Sequence, residues 1–112
     1  MRVLVCGGRD YSDYDTVCST LNRHAFDADV LIQGGASGAD ELAVDWAEHH
    51  QIRIENYPAD WKKYGRSAGY IRNAQMLQEG KPDLVIAFPG GKGTAMMVKL
   101  AEKAKIKVIK IK

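Results

Sequence analysis

The sequence predicts an α/β fold in which helices cover both faces of a five-stranded, mainly parallel sheet. Short apolar runs alternate with segments of helical periodicity along the whole chain. The run at residues 83–88 is almost wholly apolar, as expected of a parallel strand that is buried on both faces. Several strands lead directly into glycine-rich turns. This pattern is typical of a Rossmann-like three-layer α/β/α domain, and 112 residues leave room for one such domain, spanning residues 1–112.

The predicted strands alternate with helices throughout, and right-handed crossovers favour the strand order 3-2-1-4-5. The strands are assigned to residues 2–6, 29–33, 52–57, 83–88 and 106–111. The last strand carries lysines at alternating and flanking positions, which is typical of an edge strand protected against pairing with another chain.

The helices are predicted to begin at serine caps and to end near small or polar residues. Ser12, Ser37 and Ser67 are the expected N-caps. Gly80 is placed to end the helix that follows Ser67. Residues 60–66 are expected to form a polar loop. The expected apolar helix faces carry Val17, Leu21 and His24; then Leu42, Trp46 and His49; then Ile71, Ala74 and Leu77.

Composition excludes several classes of protein. The net charge of +2 is too small to indicate nucleic-acid binding. No apolar run approaches the length of a membrane span, and the first residues do not resemble a signal peptide, so we expect a cytoplasmic protein without a membrane partner. Cys6 and Cys18 are expected to be buried thiols. The scattered histidines indicate no metal site, and no cofactor is predicted.

Three glycine-rich turns follow predicted strands, and they must meet at one edge of the sheet because parallel strands share one direction. Each turn also leads into a helix N-terminus, where free N–H groups and the helix dipole favour an anion. The alternative is that the glycines only permit tight turns, but three turns in register favour a site for phosphate. The glycines concerned are Gly7, Gly8, Gly34, Gly35, Gly38, Gly90, Gly91 and Gly93.

Three polar residues lie near the first two turns. Arg9 and Asp10 directly follow the first strand, so both are expected at the mouth of the site. Arg9 either clamps phosphate or forms a surface salt bridge. Asp40 stands three residues after Ser37, so it either caps the helix or recognises a ribose hydroxyl or a base.

The third turn, Pro89 to Thr94, is not a P-loop, because Lys92 stands between glycines. Thr94 is expected both to cap the last helix and to donate to phosphate.

Further candidates lie between the third strand and the fourth. Arg66, Arg72 and Asn73 are near enough to the loop end to face the site, although a solvated helix face is the alternative. Trp61, in the longest loop, either stacks on a base or covers the edge of the domain.

Several of these motifs together resemble the SLOG superfamily, in particular its YspA/YpsA-related branch, found in bacteria and their phages. The resemblance covers nearly the whole chain. It is carried by residues 7–11, 34–40, 57–61, Gly65, 68–69, 72–73 and 89–94. It implies a Rossmann-like fold that binds nucleotides or nucleotide-derived ligands, and self-association into a homo-oligomer. The first hypothesis, which rests on the three converging loops and on the residue at position 97, is a binding module that senses or sequesters such a ligand.

The best-known SLOG enzymes are phosphoribohydrolases that cleave the N-glycosidic bond of nucleoside monophosphates. Their signature Pro-Gly-Gly-x-Gly-Thr is followed by a catalytic glutamate, and Met97 occupies that position here. A thioether cannot replace a carboxylate in acid–base chemistry. Asp40 or Asp10 would have to act instead, so enzymatic activity is the second hypothesis. Nucleic-acid binding, known for the SLOG protein DprA, is the third and weakest.

Overall fold

The computed structural model describes all 112 residues and has a sheet of five parallel strands in the order β3-β2-β1-β4-β5. The predicted Rossmann-like fold class and strand order are therefore confirmed. The strands are shorter than predicted at most of their ends. They span β1 Arg2–Cys6, β2 Val30–Gln33, β3 Arg53–Asn56, β4 Leu84–Ala87 and β5 Lys107–Lys110.

The three central strands are almost fully buried, whereas the two edge strands are partly exposed. Val3 and Leu4 of β1 pair with β2 on one side and with β4 on the other. On the edge strand β5, Lys107 and Lys110 are exposed while the residues between them are half-buried. The lysines therefore lie on an edge strand as predicted.

Four α-helices cover the two faces of the sheet, and a short fifth helix lies beside them. The five helices are α1 Tyr14–His24, α2 Ala39–His49, α3 Trp61–Tyr64, α4 Ala68–Gly80 and α5 Lys92–Lys103, with a 3-10 turn at Gly65–Ser67 between α3 and α4. The short helix, α3, packs against α4. Helices α1 and α2 pack on one face, where Trp46 and Leu21 join the larger core cluster. Helices α4 and α5 pack on the other face, where Met76 and Met97 join the smaller cluster. No helix combines the length and apolar character needed to cross a membrane.

The predicted helix caps were mostly wrong. Helix α1 is capped by Asp13 instead of Ser12, because the Asp13 carboxylate accepts both the N–H and the hydroxyl of Thr16. Helix α2 begins after Gly38, not Ser37. Ser67 does occupy the N-cap position of α4, but its side chain makes no capping bond.

The ends of α4 and α5 also differ from the prediction. Gly80 is the last residue of α4, and Lys81 beyond it takes the left-handed conformation. Position 80 lies against Ile32, where a β-carbon would be 3.2 Å from Cδ1, so packing accounts for this glycine. Thr94 lies within the first turn of α5, and Gly91 is the N-cap.

Three further expectations about helices need correction. Residues 60–66 were predicted as a loop, yet they contain α3, whose N-cap Asp60 accepts the N–H of Lys63. The apolar face predicted for α4 was misplaced, since Ile71 is exposed whereas Asn73 and Met76 are buried. The histidine predicted on the apolar face of α2, His49, is exposed.

Of the two cysteines predicted to be buried, Cys6 is buried and Cys18 is half-buried; both are free thiols.

Candidate ligand-binding site

A cavity of about 570 Å³ opens at the carboxyl ends of the central strands, between the β1, β2 and β4 loops and α4. We call it the main cavity. Val5, Cys6 and Met76 form an apolar part of its wall. Burial raises the pKa of the Cys6 thiol to about 12, so this cysteine is not poised as a nucleophile. The volume lies in the range of ordinary small-molecule sites.

A second cavity of about 300 Å³ adjoins the first at the carboxyl ends of β2 and β3. We call it the side pocket. It shares four residues with the main cavity: Arg9, Ala36, Trp61 and Arg72. Its remaining lining comes from Gly34, Gly35, Ser37, Pro58 and Ala59.

The glycine-rich loops pack against one another so closely that several of their glycines are needed for packing. A β-carbon at Gly38, where φ is +76°, would overlap the carbonyl oxygen of Gly8. A β-carbon at Gly90 would lie 2.6 Å from the Gly8 nitrogen, and one at Gly7 would lie 2.5 Å from the Ala39 β-carbon. The loops are also joined by the Gly8 N–H, which donates to the Pro89 carbonyl at 2.9 Å. The alternative of tight structural turns therefore accounts for these positions.

Gly91 and Gly93 have no such explanation, because a β-carbon at either position would meet nothing within 4 Å. Neither residue has a positive φ. Both line the main cavity, and Gly93 lies in the first turn of α5, where glycine lowers helix stability. Open space at these two positions keeps the backbone accessible from the cavity.

The N-terminus of α5 also presents unpaired donors. The first helical bond of α5 runs from the Ala95 N–H to the Gly91 carbonyl, so the N–H groups of Lys92, Gly93 and Thr94 have no partner within the helix. Asn73 fixes the turn from α4, since its amide donates to the Gly93 carbonyl at 3.3 Å. This end of α5 is suited to an anion.

The corresponding donors of the β2–α2 loop are already occupied. The carboxylate of Asp40 accepts the N–H of Gly34 at 3.1 Å and that of Ala36 at 3.3 Å. The N–H of Gly35 donates to the Gln33 side chain at 2.6 Å. A carboxylate of the chain thus occupies the position that a phosphate would take in such a loop.

Asp40 therefore caps its own loop and does not pair with Ser37, whose hydroxyl donates to the Arg9 carbonyl at 3.0 Å. Both interactions through Asp40 use one oxygen, Oδ2, and the residue also lines the main cavity. Burial raises the pKa of Asp40, although its two N–H partners and the charges of Arg72 and Arg9 oppose that shift.

Three arginines line the cavities, and none of them forms a salt bridge with a carboxylate. Arg9 lies with its guanidinium 5.1 Å from the centroid of the Trp61 ring. Arg72 donates to the Gly34 carbonyl at 2.8 Å and to the Asn73 side chain at 3.0 Å. Arg66 lines the main cavity. The predicted alternative of a surface salt bridge at Arg9 is wrong, because every salt bridge in the structure involves other residues.

Most of the predicted site residues lie around these two cavities, but some do not. Those lining the main cavity or the side pocket are Gly7, Gly8, Arg9, Gly34, Gly35, Ser37, Asp40, Trp61, Arg66, Arg72, Asn73, Gly91, Gly93 and Thr94. Asp10, Gly38, Pro89, Gly90 and Lys92 line neither. Asp40 is consequently the only acidic residue in the lining.

Sequence reasoning missed several lining residues. Gly69, Tyr70 and Met76 flank Asn73 at helical spacing, so the placement of Asn73 in the site would have indicated them. Met96 precedes the position of the expected glutamate. Pro58 and Ala59 belong to the motif at residues 57–61 that carries the SLOG resemblance, but their residue types alone do not indicate that they line a pocket.

Met97, which stands where the SLOG hydrolases carry their glutamate, is fully buried in the smaller core cluster and lines neither cavity. No group of three or more histidine, cysteine, aspartate or glutamate side chains is arranged to hold a metal ion.

The fold and these loops define a SLOG protein of the Rossmann-like class. A model of the YspA, cpYpsA-related SLOG family matches residues 1–64, which include the first two glycine-rich loops. The chain is also 37% identical over 119 residues to Gene 61 protein of Mycobacterium phage D29, covering 96% of this chain and 94% of the phage protein. The chain belongs to the YspA, cpYpsA-related SLOG family, and this membership supports a nucleotide-related function in general terms.

Proposed function

We propose that the chain binds a nucleotide or a related phosphorylated ligand in the main cavity, with the phosphate at the N-terminus of α5. One observation carries the proposal: Gly91 and Gly93 leave the unpaired N–H groups of this helix open to the cavity without any packing reason. A helix N-terminus with accessible donors favours phosphate oxygens.

The charges around the cavity support the same ligand class. Arg9, Arg66 and Arg72 carry positive charge without a salt-bridged acid, whereas Asp40 is the one acid in the lining. Burial lowers the pKa of Arg72, which means that its charge is partly desolvated and gains from a ligand anion. Planar guanidinium groups bind phosphate through paired N–H donors.

The remaining lining of the main cavity suits the base and ribose of such a ligand. The apolar wall of Val5, Cys6 and Met76 suits the faces of a base or ribose. The second carboxylate oxygen of Asp40, Oδ1, accepts no hydrogen bond within the protein and provides an acceptor for a hydroxyl or N–H of the ligand. We propose a role as a sensor or a sequestering module, because the glutamate of the related hydrolases is missing.

Isothermal titration with nucleotides, cyclic dinucleotides and ADP-ribose derivatives tests this proposal. We expect saturable binding of at least one compound, weakened by Arg72→Ala and unchanged by Lys81→Ala, which removes a cation far from the cavity. Absence of binding to every compound, or equal effects of the two variants, would contradict the proposal.

A second candidate function is hydrolysis of nucleoside 5′-monophosphates, with Asp40 in place of the missing glutamate. The observation that favours it is the buried Asp40 carboxyl with a raised pKa in the cavity wall, which is a common setting for an acid or base catalyst. Asp10 is exposed and lies outside the lining, so it does not compete for this role.

The test is incubation of the purified chain with AMP, GMP, CMP and UMP, followed by detection of free base. Release of base by the native chain, with loss of turnover but not of binding in Asp40→Asn, would support hydrolysis. No base released from any of the four would exclude it and leave binding alone.

A further inference from the structure

The side pocket indicates that the ligand continues past its phosphate. It adjoins the main cavity across Arg9, Trp61 and Arg72, which line both spaces. A nucleoside monophosphate placed with its base in the main cavity and its phosphate near α5 would leave the side pocket empty.

Two unpaired guanidinium groups lie at the boundary between the two cavities. Arg72 is held in place by the Gly34 carbonyl and Asn73, yet one of its terminal nitrogens, Nη2, makes no hydrogen bond to protein. The guanidinium of Arg9 makes no hydrogen bond to protein and lies over the Trp61 ring. An anion bound between the two arginines would have one cavity on each side of it, and a phosphate with two substituents can extend into both.

The side pocket is not built for a second terminal phosphate. The N–H groups of Gly34, Gly35 and Ala36 already donate to Asp40 and Gln33. The rest of its wall offers the small faces of Pro58 and Ala59, the Trp61 ring and the exposed Ser37. Such a wall suits a compact polar group such as a sugar ring, which packs on aromatic and small apolar surfaces and exchanges hydrogen bonds with hydroxyl groups.

We infer that the ligand is a nucleoside diphosphate joined to a second, sugar-like group: the nucleoside in the main cavity, the diphosphate between the N-terminus of α5 and the two arginines, and the sugar-like group in the side pocket. This inference rests on the proposed function and extends it from a phosphorylated ligand in general to a diphosphate that carries a group at each end.

The test is a titration of matched series: AMP, ADP and ADP-glucose, and UMP, UDP and UDP-glucose. In at least one series we expect the sugar conjugate to bind about tenfold more tightly than the diphosphate, a gain typical of one well-placed additional group. Ala59→Phe fills the side pocket, so the ratio of conjugate to diphosphate affinity should fall to about one. Ala104→Phe adds the same bulk at an exposed position far from both cavities and should keep the ratio.

Ser37→Gln adds bulk at another, exposed residue of the side-pocket lining and serves as a second blocking variant. Circular dichroism checks that each variant is folded. A conjugate that binds no more tightly than its diphosphate in either series would overturn the inference while leaving the proposed function intact. So would a gain that survives both blocking variants. Absence of binding by all six compounds would also overturn the inference, and the wider titration panel would then decide whether the proposed function is wrong as well.

Discussion

Arg72 lies directly against the backbone of Gly34, because its Nη1 donates to the Gly34 carbonyl at 2.8 Å and no β-carbon separates them. A β-carbon at position 34 would overlap this guanidinium. Gly34 is therefore linked to the site through an arginine 38 positions away in the sequence, and not through its own N–H, which Asp40 occupies. The glycine-rich loop of β2 positions a cation, whereas the loop before α5 presents free donors.

We predict that Gly34→Ala displaces Arg72 and weakens ligand binding about tenfold, since the arginine loses its fixed position. The new methyl group meets only the flexible end of Arg72, which can move aside and lose its hydrogen bond to Gly34, so the free energy of unfolding should fall by only about 1 kcal/mol. Urea unfolding and isothermal titration measure the two effects. Gly80→Val is the comparison, because its side chain would press on Ile32 at the end of α4 and position 80 lines neither cavity, so it should lose stability without losing affinity. Unchanged affinity in Gly34→Ala would contradict the assigned role of Arg72.

Gly93→Ala should stabilise the folded chain and at the same time weaken ligand binding. The new methyl group meets no protein atom within 4 Å, and alanine is preferred in helices, so the free energy of unfolding should rise by up to about 1 kcal/mol. The methyl group also faces the cavity beside the unpaired N–H groups of α5, so ligand affinity should fall at least tenfold. Chemical unfolding and titration on the same sample check both. A variant that is more stable and binds as well as the native chain would contradict the phosphate position.

Asp40 should show its structural role in a comparison of two substitutions. Asp40→Ala leaves the N–H groups of Gly34 and Ala36 without their acceptor and should cost about 1 to 3 kcal/mol. Asp40→Asn keeps an acceptor oxygen at the same place and should cost less. Urea unfolding of the two variants at one pH measures the difference, and equal losses would show that these hydrogen bonds do not hold the loop.

The pH dependence of stability provides a separate prediction for Asp40. Its pKa in the folded chain is raised above the ordinary value of 3.8, chiefly by burial, so the folded chain binds this proton more tightly than the unfolded chain does. The stability that Asp40 contributes is therefore fully present below pH 3.8 and is lost as the pH rises through the folded pKa. The difference in unfolding free energy between the native chain and Asp40→Asn should decline over that window and stay constant above it. A difference that increases with pH would contradict the raised pKa.

The two tryptophans should report binding very differently. Trp61 is 48% exposed, lines both cavities and faces Arg9, whereas Trp46 is buried and donates to Asn22 at 2.8 Å on the other side of the sheet. We expect ligand to change the tryptophan fluorescence, and Trp61→Phe to remove that change. The same change should persist in Trp46→Phe, measured where that variant remains folded. Loss of the signal in Trp46→Phe alone would place the ligand elsewhere.

The fold was predictable because its main signals are local and repeated. Apolar runs mark the central strands, and the handedness of crossovers then restricts the strand order. The caps were harder to predict, because Ser12 and Asp13 are both good N-caps and only the bonds of Asp13 to Thr16 decide between them. The buried face of α4 was missed because Asn73 is polar, and its burial depends on a bond to Gly93 in another element.

The location of the site could be predicted from the sequence, but the role of each loop within it could not. Topology alone brings the loops after β1, β2 and β4 to one edge of the sheet. The sequence does not show that the Asp40 carboxylate accepts the N–H groups of its own loop. The Ser-x-x-Asp spacing of Ser37 and Asp40 is equally compatible with a helix cap and with a carboxylate that turns back to Gly34. The side pocket depends on Pro58 and Ala59, which ordinary sequence patterns do not relate to Arg72.

Phosphate binding at the N-terminus of α5 can be followed at each amide by proton–nitrogen correlation spectra of the labelled chain during titration with mononucleotides and nucleoside diphosphates. We expect saturable shifts of the Lys92, Gly93 and Thr94 amide signals, because their N–H groups gain an anionic acceptor. The Gly34 and Ala36 amides, which stay bound to Asp40, should shift much less. Saturable shifts at Gly34 and Ala36 with none at the start of α5 would contradict phosphate binding at this helix.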